Sequence, residues 1–364
     1  LKKLLITGPF PLPITGVSLG TQIVYDEFKK KDNYQVQMVN TSYSRFDEKI
    51  GKLSLHKAWF YLKLQIFFYK VFRNDIIYIT IGQTFYGVLK YALYILSASV
   101  ANKQIVIHIH GNYLGKQYSE LTGIKKRLFH FIMSRTNQGI VSSDSLKDNF
   151  RPFIPEDQIF SLKNFTLDEL FVSDEVVHAK KYDRLHITYL SNLMLEKGIF
   201  ELLEALLSLE EENVPYQARI AGNIAPENSD RVMQLLERLE HTEYLGTVDV
   251  KEKTDLLTWS NIFILPTFYT MEAQPFAILE AMATGNMIIT TPHAGIPDIF
   301  RDQINGVYVE KQNADSITSQ LKKVAAQPSM IRNYGLHNVK EAREKYRIPQ
   351  FADNLEAIFN AAHS

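Results

Sequence analysis

Two glutamates eight residues apart, Glu272 and Glu280, stand around the start of a short helix in the stretch Leu265 to Gly306. Carboxylates so placed suit hydrogen bonds from the hydroxyls of a polar ligand, although two solvated acids on an exposed face would show the same spacing. The surrounding residues narrow the choice. Asn261 to Pro266 (NIFILP) is a continuous apolar run closed by proline, the pattern of a strand buried on both faces of a parallel sheet. Pro275 suits the first helical position and Gly285 the position just past the helix end. Phe276 to Ala283 therefore reads as a compact helix, and Asn286 to Thr291 (NMIITT) as the next buried strand. The loop carrying Glu272 then falls outside the carboxyl end of a strand, where open α/β sheets bind ligands. Free backbone N–H groups near Ala273 to Phe276 add donors for hydroxyl or anionic oxygens at a helix N-terminus.

With the following TTPHAGIPDI and NGVYVE, the series PTFYTMEAQPFAILEAMATG resembles the donor-site signature of the retaining glycosyltransferases of family 4, which have the GT-B fold. The resemblance implies that Glu272 contacts a donor sugar and that Glu280 holds the ribose hydroxyls of its nucleotide. Between them the family has Glu-Gly-Phe-Gly or Glu-Gly-Gln-Pro, and this chain has Glu272-Ala273-Gln274-Pro275. Ala273 removes the easiest access to positive φ, while Gln274 offers a side-chain contact to a sugar hydroxyl.

A departing diphosphate needs fixed donors or cations where its charge develops. The chain contains no Asp-x-Asp to hold a divalent metal, so the reading requires neither metal nor cofactor. In YLSNLMLEKG, Lys197 matches the lysine of the family's Gly-Arg-Leu-x-x-x-Lys-Gly pattern; read by itself it would be a solvated lysine at a helix start. The Arg and Gly of that pattern are replaced by Asn192 and Ser191, and a neutral amide does not supply the forked cation of an arginine. On the opposite wall, Pro13-Ile14-Thr15-Gly16-Val17 resembles the family's glycine turn, where backbone amides meet the diphosphate. Thr15 replaces the first Gly of the common pair and Gly16 remains.

His108 and His110 lie two residues apart at a strand end, so both rings point to one face. A packed, hydrogen-bonded ring is the ordinary reading of either; the resemblance assigns His110 to the donor sugar and leaves His108 structural. It also implies front-face substitution, in which Glu272, Lys197 and His110 orient groups and stabilise charge, with the nucleobase near Gly222 and the turn Gly246-Thr247-Val248.

These residues need a frame to hold them. At 364 residues the chain calls for two domains, and its ordinary composition describes a folded protein. It has no cysteine, which excludes disulfides and thiol chemistry and fits the cytoplasm. A first βα series (LKKLLIT, YQVQMVN, DIIYITI, QIVIHIHG, QGIVSSDS, IFSLKN) precedes a second (LHITYLS, YQARIAGN, TEYLG, NIFILP, NMIITT, GVYVE). Two such series predict α/β Rossmann-like domains facing across a cleft. The expected boundaries are 1–172 for an acceptor domain and 173–347 for a nucleotide-sugar donor domain. As in GT-B folds, a last helix over 348–364 returns to the first domain.

Residues 1–170 carry 22 Lys and Arg against 13 Asp and Glu, and the remainder 18 against 27, so the halves are +9 and −9 in a chain of zero net charge. His56 to Arg73 and Gly123 to Arg135 interleave aromatics with cations. Such helices lie either in an anionic membrane interface or in a core with cationic rims. Phe85 to Ala101 reads as a buried helix rather than a span, since it contains Lys90. No nucleic-acid motif accompanies the basic charge.

The reading is thus a retaining, metal-independent sugar transferase, cytoplasmic or peripheral on the inner face of the plasma membrane. Its donor is a nucleotide sugar, UDP before GDP-mannose. Its acceptor is a saccharide or lipid-linked saccharide of bacterial surface polysaccharide. The alternatives are a GT-B nucleotide-sugar epimerase and a non-catalytic nucleotide-sugar-binding scaffold.

Overall fold

A computed structural model of the protein describes residues 1–12, 15–43 and 55–361, with the side chains of 55–58 left out. The chain divides into two compact units, 1–163 with 349 onward, and 164–348.

In the first unit the apolar runs become six parallel strands: β1 (Lys2–Gly8), β2 (Tyr34–Asn40), β3 (Ile76–Thr80), β4 (Gln104–His108), β5 (Gln138–Val141) and β6 (Ile159–Ser161). Their order is β2-β1-β3-β4-β5-β6. All five residues of β3 are buried, as a strand covered by helices on both faces requires. The connecting helices are α1 (Gly16–Lys30), α2 (Leu55–Gln65), α3 (Phe85–Leu89), α4 (Ala92–Val100), α5 (Leu114–Glu120) and α6 (Gly123–Met133). The apolar stretch Phe85 to Ala101 is thus two short helices rather than one, interrupted at Lys90 and Tyr91. Between α2 and β3 runs an eight-residue 3-10 helix, Ile66–Arg73.

The second unit repeats the plan with β7 (Leu185–Leu190), β8 (Tyr216–Ala221), β9 (Thr242–Gly246), β10 (Ile262–Leu265), β11 (Met287–Thr290) and β12 (Gly306–Tyr308), ordered β12-β11-β10-β7-β8-β9 and parallel throughout. Its helices are α7 (Asp174–Ala179), α8 (Ile199–Glu211), α9 (Ser229–Glu237), α10 (Val250–Trp259), α11 (Phe276–Ala283), α12 (Ala314–Ala325) and α13 (Pro328–Lys345). β10 and β11 are buried end to end, as their unbroken apolar sequence requires. Gly285 follows α11 at φ 73°, where a Cβ would meet Val177 at 2.4 Å.

The last helix, α14 (Ile348–Ala361), packs in the first unit: Phe359 lies 5.2 Å from the Phe28 ring, and Glu356 pairs with Lys31 at 2.5 Å. Residues 362–364, expected to continue it, lie outside the described residues. The first crossing between units falls at 163/164 rather than 172/173, because the intervening segment belongs to the second unit. Thr166 N–H donates to the Tyr346 carbonyl at 2.8 Å, and Leu170 sits in the second core. Among the described residues no helix is long and apolar enough to cross a membrane.

Candidate functional site

The order of the second sheet determines where its polar groups gather. From β7 the chain winds outward through β8 and β9, and from β10 through β11 and β12 on the other side. β7 and β10 therefore flank the point of reversal, where loops diverge and leave room for a ligand. The segments leaving their carboxyl ends are tied together: Phe268 N–H donates to the Glu196 carbonyl at 2.8 Å, and Thr267 Oγ1 lies 3.3 Å from the same oxygen.

Lys197 stands on a single 3-10 turn, Leu195–Lys197, closed by Gly198 at φ 75°. A Cβ on Gly198 would lie 2.5 Å from the Pro266 carbonyl oxygen, so glycine is required for the two loops to approach. Lys197 Nζ donates to Glu272 Oε2 at 2.5 Å, the Thr267 hydroxyl donates to the same oxygen at 3.2 Å, and the Tyr269 ring centre lies 5.0 Å from Nζ. Both charged side chains are largely buried, an arrangement that requires a partner for each charge. Among the described residues the bonds to Glu272 fall on Oε2, which leaves Oε1 as an acceptor.

Glu280 projects from α11 and is held by Lys253 from α10, which donates to Oε1 in a second buried ion pair. An ionised carboxylate accepts hydroxyl hydrogens through its remaining oxygen, which is what a vicinal diol needs. Lys253 escapes sequence reading because its partner lies 27 residues away, on another helix.

The loop between the glutamates departs from its sequence reading at two points. Among the described residues the non-glycine positions with positive φ are Asn102, Asn213, Ala294, Gln303 and Gln312, so Ala273 replaces glycine without entering the left-handed region. The positive φ lies instead at Ala294 (49°), whose neighbour Gly295 donates its N–H to the Ala273 carbonyl at 2.9 Å. Gln274 is buried and its carboxamide oxygen accepts from Asn164 N–H at 2.7 Å, while Asn164 Nδ2 donates to the Gln274 carbonyl at 2.9 Å. The side chain expected at a sugar hydroxyl is thus engaged in fixing the loop. Pro275 is the residue before α11 rather than its first member, and Phe276 is half-buried with its ring 5.5 Å from Phe165.

Ser191, Gly222 and Gly246 come together at the ends of β7, β8 and β9. Ser191 N–H donates to the Ala221 carbonyl at 3.1 Å, and Gly222 N–H to the Gly246 carbonyl at 2.7 Å. Gly222 has φ 141°, and a Cβ there would lie 1.8 Å from the Ser191 carbonyl oxygen. Asn192 and Thr247 are exposed and Val248 half-buried beside this cluster.

His293, which the sequence reading passed over, lies against the same loop. Its Nε2 sits 2.8 Å from the Tyr269 carbonyl and its Nδ1 accepts from Lys311 Nζ at 3.0 Å, which together define a neutral ring; burial likewise lowers its pKa.

In the first unit Thr15 caps α1: its hydroxyl accepts from Ser18 N–H at 3.1 Å, Ser18 Oγ accepts from Thr15 N–H at 2.8 Å, and Gly16 opens the helix. Pro13 and Ile14, the start of that turn, lie outside the described residues. His108 ends β4 and His110 lies beyond it, with ring centres 4.1 Å apart on one face. His108 Nδ1 meets the Tyr78 hydroxyl at 2.6 Å, as a structural ring does. Both nitrogens of His110 are buried without a hydrogen-bond partner among the described residues. Burial pushes its pKa down to about 4 and that of His108 well below the usual range, so both rings are neutral at pH 7.

Several known proteins are similar to this chain. The putative colanic acid biosynthesis glycosyltransferase WcaL of Escherichia coli is 30% identical over 168 residues, 44% of this chain and 40% of that protein. The capsular polysaccharide biosynthesis glycosyltransferase CapM of Staphylococcus aureus is 24% identical over 210 residues, 55% of this chain and 51% of that one. The chain thus spans about half or less of the length of these curated relatives. Anabaena HepE, solved in complex with UDP, superposes with a TM-score of 0.75 at 13% identity, covering 99% of this chain and all of that one, and shares the two-domain α/β GT-B fold. Residues 173–342, within the second unit, match the family described as Glycosyl transferases group 1.

Proposed function

We propose that the protein is a retaining, metal-independent glycosyltransferase that moves a sugar from a nucleotide-sugar donor, UDP before GDP-mannose, to a saccharide or lipid-linked saccharide acceptor. The acceptor belongs to cell-surface polysaccharide, and the enzyme works in the cytoplasm at the inner face of the plasma membrane. The observation that carries the reading is the buried Lys197–Glu272 pair at the reversal point of the second sheet, inside the matched domain. Two relatives named for surface-polysaccharide synthesis and a neighbour solved with UDP support the direction of the chemistry.

In this reading Glu280 accepts the ribose hydroxyls and Glu272 accepts a donor-sugar hydroxyl through Oε1. As the bond from the anomeric carbon to the leaving phosphate oxygen breaks, negative charge grows on the diphosphate and Lys197 stabilises it. The acceptor oxygen bonds to the anomeric carbon on the same face, and its proton passes to the departing phosphate oxygen. Backbone groups at Ser191, Gly222, Gly246, Thr247 and Val248 border the nucleobase; Ala273, Pro275 and Phe276 shape the sugar loop. The reading also assigns donor contacts to Thr15, Gly16 and His110 of the first unit. Asn192, where the family has an arginine, favours one second reading: a subunit that binds nucleotide sugar without transferring it.

The test is thermal unfolding against UDP-, GDP-, ADP- and dTDP-sugars in the presence of EDTA, beside Glu280→Ala, since a ligand bound by the folded state raises its melting temperature. The reading expects a rise with one nucleotide that Glu280→Ala abolishes, followed by transfer to a polysaccharide-type acceptor. Binding without transfer would establish the scaffold, and no rise with any donor would refute both.

A further inference from the structure

The loop from Glu272 to Pro275 is short, and the second unit holds it from three directions. Lys197 fixes the Glu272 carboxylate from the turn after β7. From the segment after β11, Gly295 N–H donates to the Ala273 carbonyl, and the neutral ring of His293 donates through Nε2 to the Tyr269 carbonyl, which also accepts from Glu272 N–H at 2.9 Å. The third hold comes from the first two residues of the unit, Asn164 and Phe165.

Asn164 and Gln274 bond reciprocally. The main-chain N–H of Asn164 donates to the carboxamide oxygen of Gln274 at 2.7 Å, and Asn164 Nδ2 donates to the Gln274 carbonyl at 2.9 Å. Both side chains are 3% exposed, so water does not compete for either bond. Among the described residues only the donor half of the Asn164 carboxamide is engaged; its Oδ1 is buried without a partner. Phe165, also buried, sets its ring edge-on to that of Phe276, at 74° and 5.5 Å.

The position of these two contacts matters because of what lies between them. Pro275 has no N–H, and α11 has no side-chain cap, so the joint between the loop and the helix lacks the local hydrogen bonds that usually fix such a turn. Its course is set instead by the residues on either side, Gln274 held by Asn164 and Phe276 packed on Phe165. The groups engaged along the loop are mostly acceptors, while the N–H groups of Ala273 and Phe276 donate to no acceptor among the described residues. Glu280 lies a full turn into α11, where Lys253 holds it, so its placement does not pass through Asn164.

We propose, resting on the reading of this unit as a nucleotide-sugar site, that Asn164 is a positioning residue for the donor sugar. Without touching the donor, it holds Gln274 and thereby the course of the loop, so that the Glu272 carboxylate and the loop N–H groups meet the sugar. The nucleotide, held at Glu280, does not depend on it.

Titration calorimetry tests this by comparing UDP with UDP-glucose and UDP-N-acetylglucosamine, and GDP with GDP-mannose, in the wild type, Asn164→Ala, Asn164→Asp and Gln274→Met. The readout is the ratio of the sugar nucleotide's Kd to that of its own nucleotide. Breaking one bond of the pair leaves a buried group unsatisfied, and the ratio rises about tenfold in Asn164→Ala and Gln274→Met while the Kd of the bare nucleotide stays within about twofold. Asn164→Asp keeps the shape but turns an acceptor toward the Gln274 carbonyl, so its ratio rises at least as far; a residue that only filled space would leave it at the wild-type value. Binding of the bare nucleotide shows that a variant is folded, and should Asn164→Asp not fold, the other two decide. A ratio that stays at the wild-type value in the variants, whether or not nucleotide and sugar nucleotide weaken together, overturns the inference and leaves the functional reading standing. Wild-type protein that binds none of these sugar nucleotides overturns both.

Discussion

Lys253 offers the most direct test of how the second unit presents its carboxylates. Its side chain and that of Glu280 are 16% and 7% exposed, so Lys253→Met leaves a carboxylate largely out of water without a counterion. Breaking a buried pair in this way costs about 3 kcal/mol, the lower end of the usual range because the lysine keeps some contact with solvent. For a unit the size of residues 164–348, about 2–4 °C of melting temperature accompanies each kcal/mol, so the transition falls by about 6–12 °C. Glu280→Leu strands the lysine instead and lowers the transition by a similar amount. The double variant regains most of the loss, since neither charge is left unpaired. Binding behaves differently: hydrogen bonds to an ionised group are worth about 1.5–3 kcal/mol, so UDP affinity falls about tenfold or more in all three variants. Calorimetric unfolding and titration with UDP measure both effects. If Lys253→Met melts with the wild type and binds UDP equally well, or if the double variant is as unstable as the sum of the singles, the argument fails.

Gly222→Ala places a methyl 1.8 Å from the Ser191 carbonyl and is expected to abolish soluble expression, whereas Gly246→Ala, at φ 69° with nothing within 4 Å, costs about 1 kcal/mol in urea unfolding. His110→Leu removes two buried nitrogens that lack a partner among the described residues, so its melting temperature at pH 7 stays level or rises while transfer falls about tenfold or more, measured with radiolabelled donor. The wild type also gains an acid limb that the variant lacks. His110 titrates at about 4 when folded and near 6.5 when unfolded, so stability is full above 6.5 and drains as pH falls toward 4. Burial alone would raise Glu341, but Lys345, Asn305 and Arg301 outweigh it and hold the carboxyl at about 2. Its contribution is complete above the ordinary value of 4.5 and is lost as pH falls from there to about 2. Glu341→Gln should therefore be about 1–2 kcal/mol less stable at pH 7, discounted because its cationic partners are half exposed, and converge with the wild type near pH 2 in acid unfolding followed by circular dichroism.

Eleven of the twelve strands among the described residues lie within stretches read as strands and β1 overruns its stretch by Gly8 alone, and the reason is physical. A strand covered on both faces, such as Ile262–Leu265 or Met287–Thr290, must be apolar throughout, and that constraint is written locally. Gly285 and the start of α11 were legible for the same reason, since caps act over a few residues. What stayed hidden depends on contacts between distant parts of the chain. Lys253 acquires its meaning from a helix 27 residues away, and Gln274 from Asn164, 110 residues earlier. The 3-10 winding of Ile66–Arg73 was hidden differently: its apolar and basic residues suit an α-helix nearly as well, and only the observed period of three sorts them into rows. The chain also places its positive φ at Ala294 and not at Ala273, a substitution of one strained position for another that no local pattern announces.

The second unit begins and ends at neighbouring points. Thr166 and Arg347 pair as a parallel bridge, and Thr166 N–H bonds to the Tyr346 carbonyl at 2.8 Å. Residues 164–348 are therefore an insertion whose two ends abut, with 1–163 and 349 onward as the host around it. A segment with abutting ends can be transplanted through two splice points without stretching either junction. Gene rearrangement can thus pair one host with different inserts, each arriving with its own sheet and its own pair of buried lysine–glutamate contacts, so the two halves of the molecule are free to diversify as separately inherited blocks.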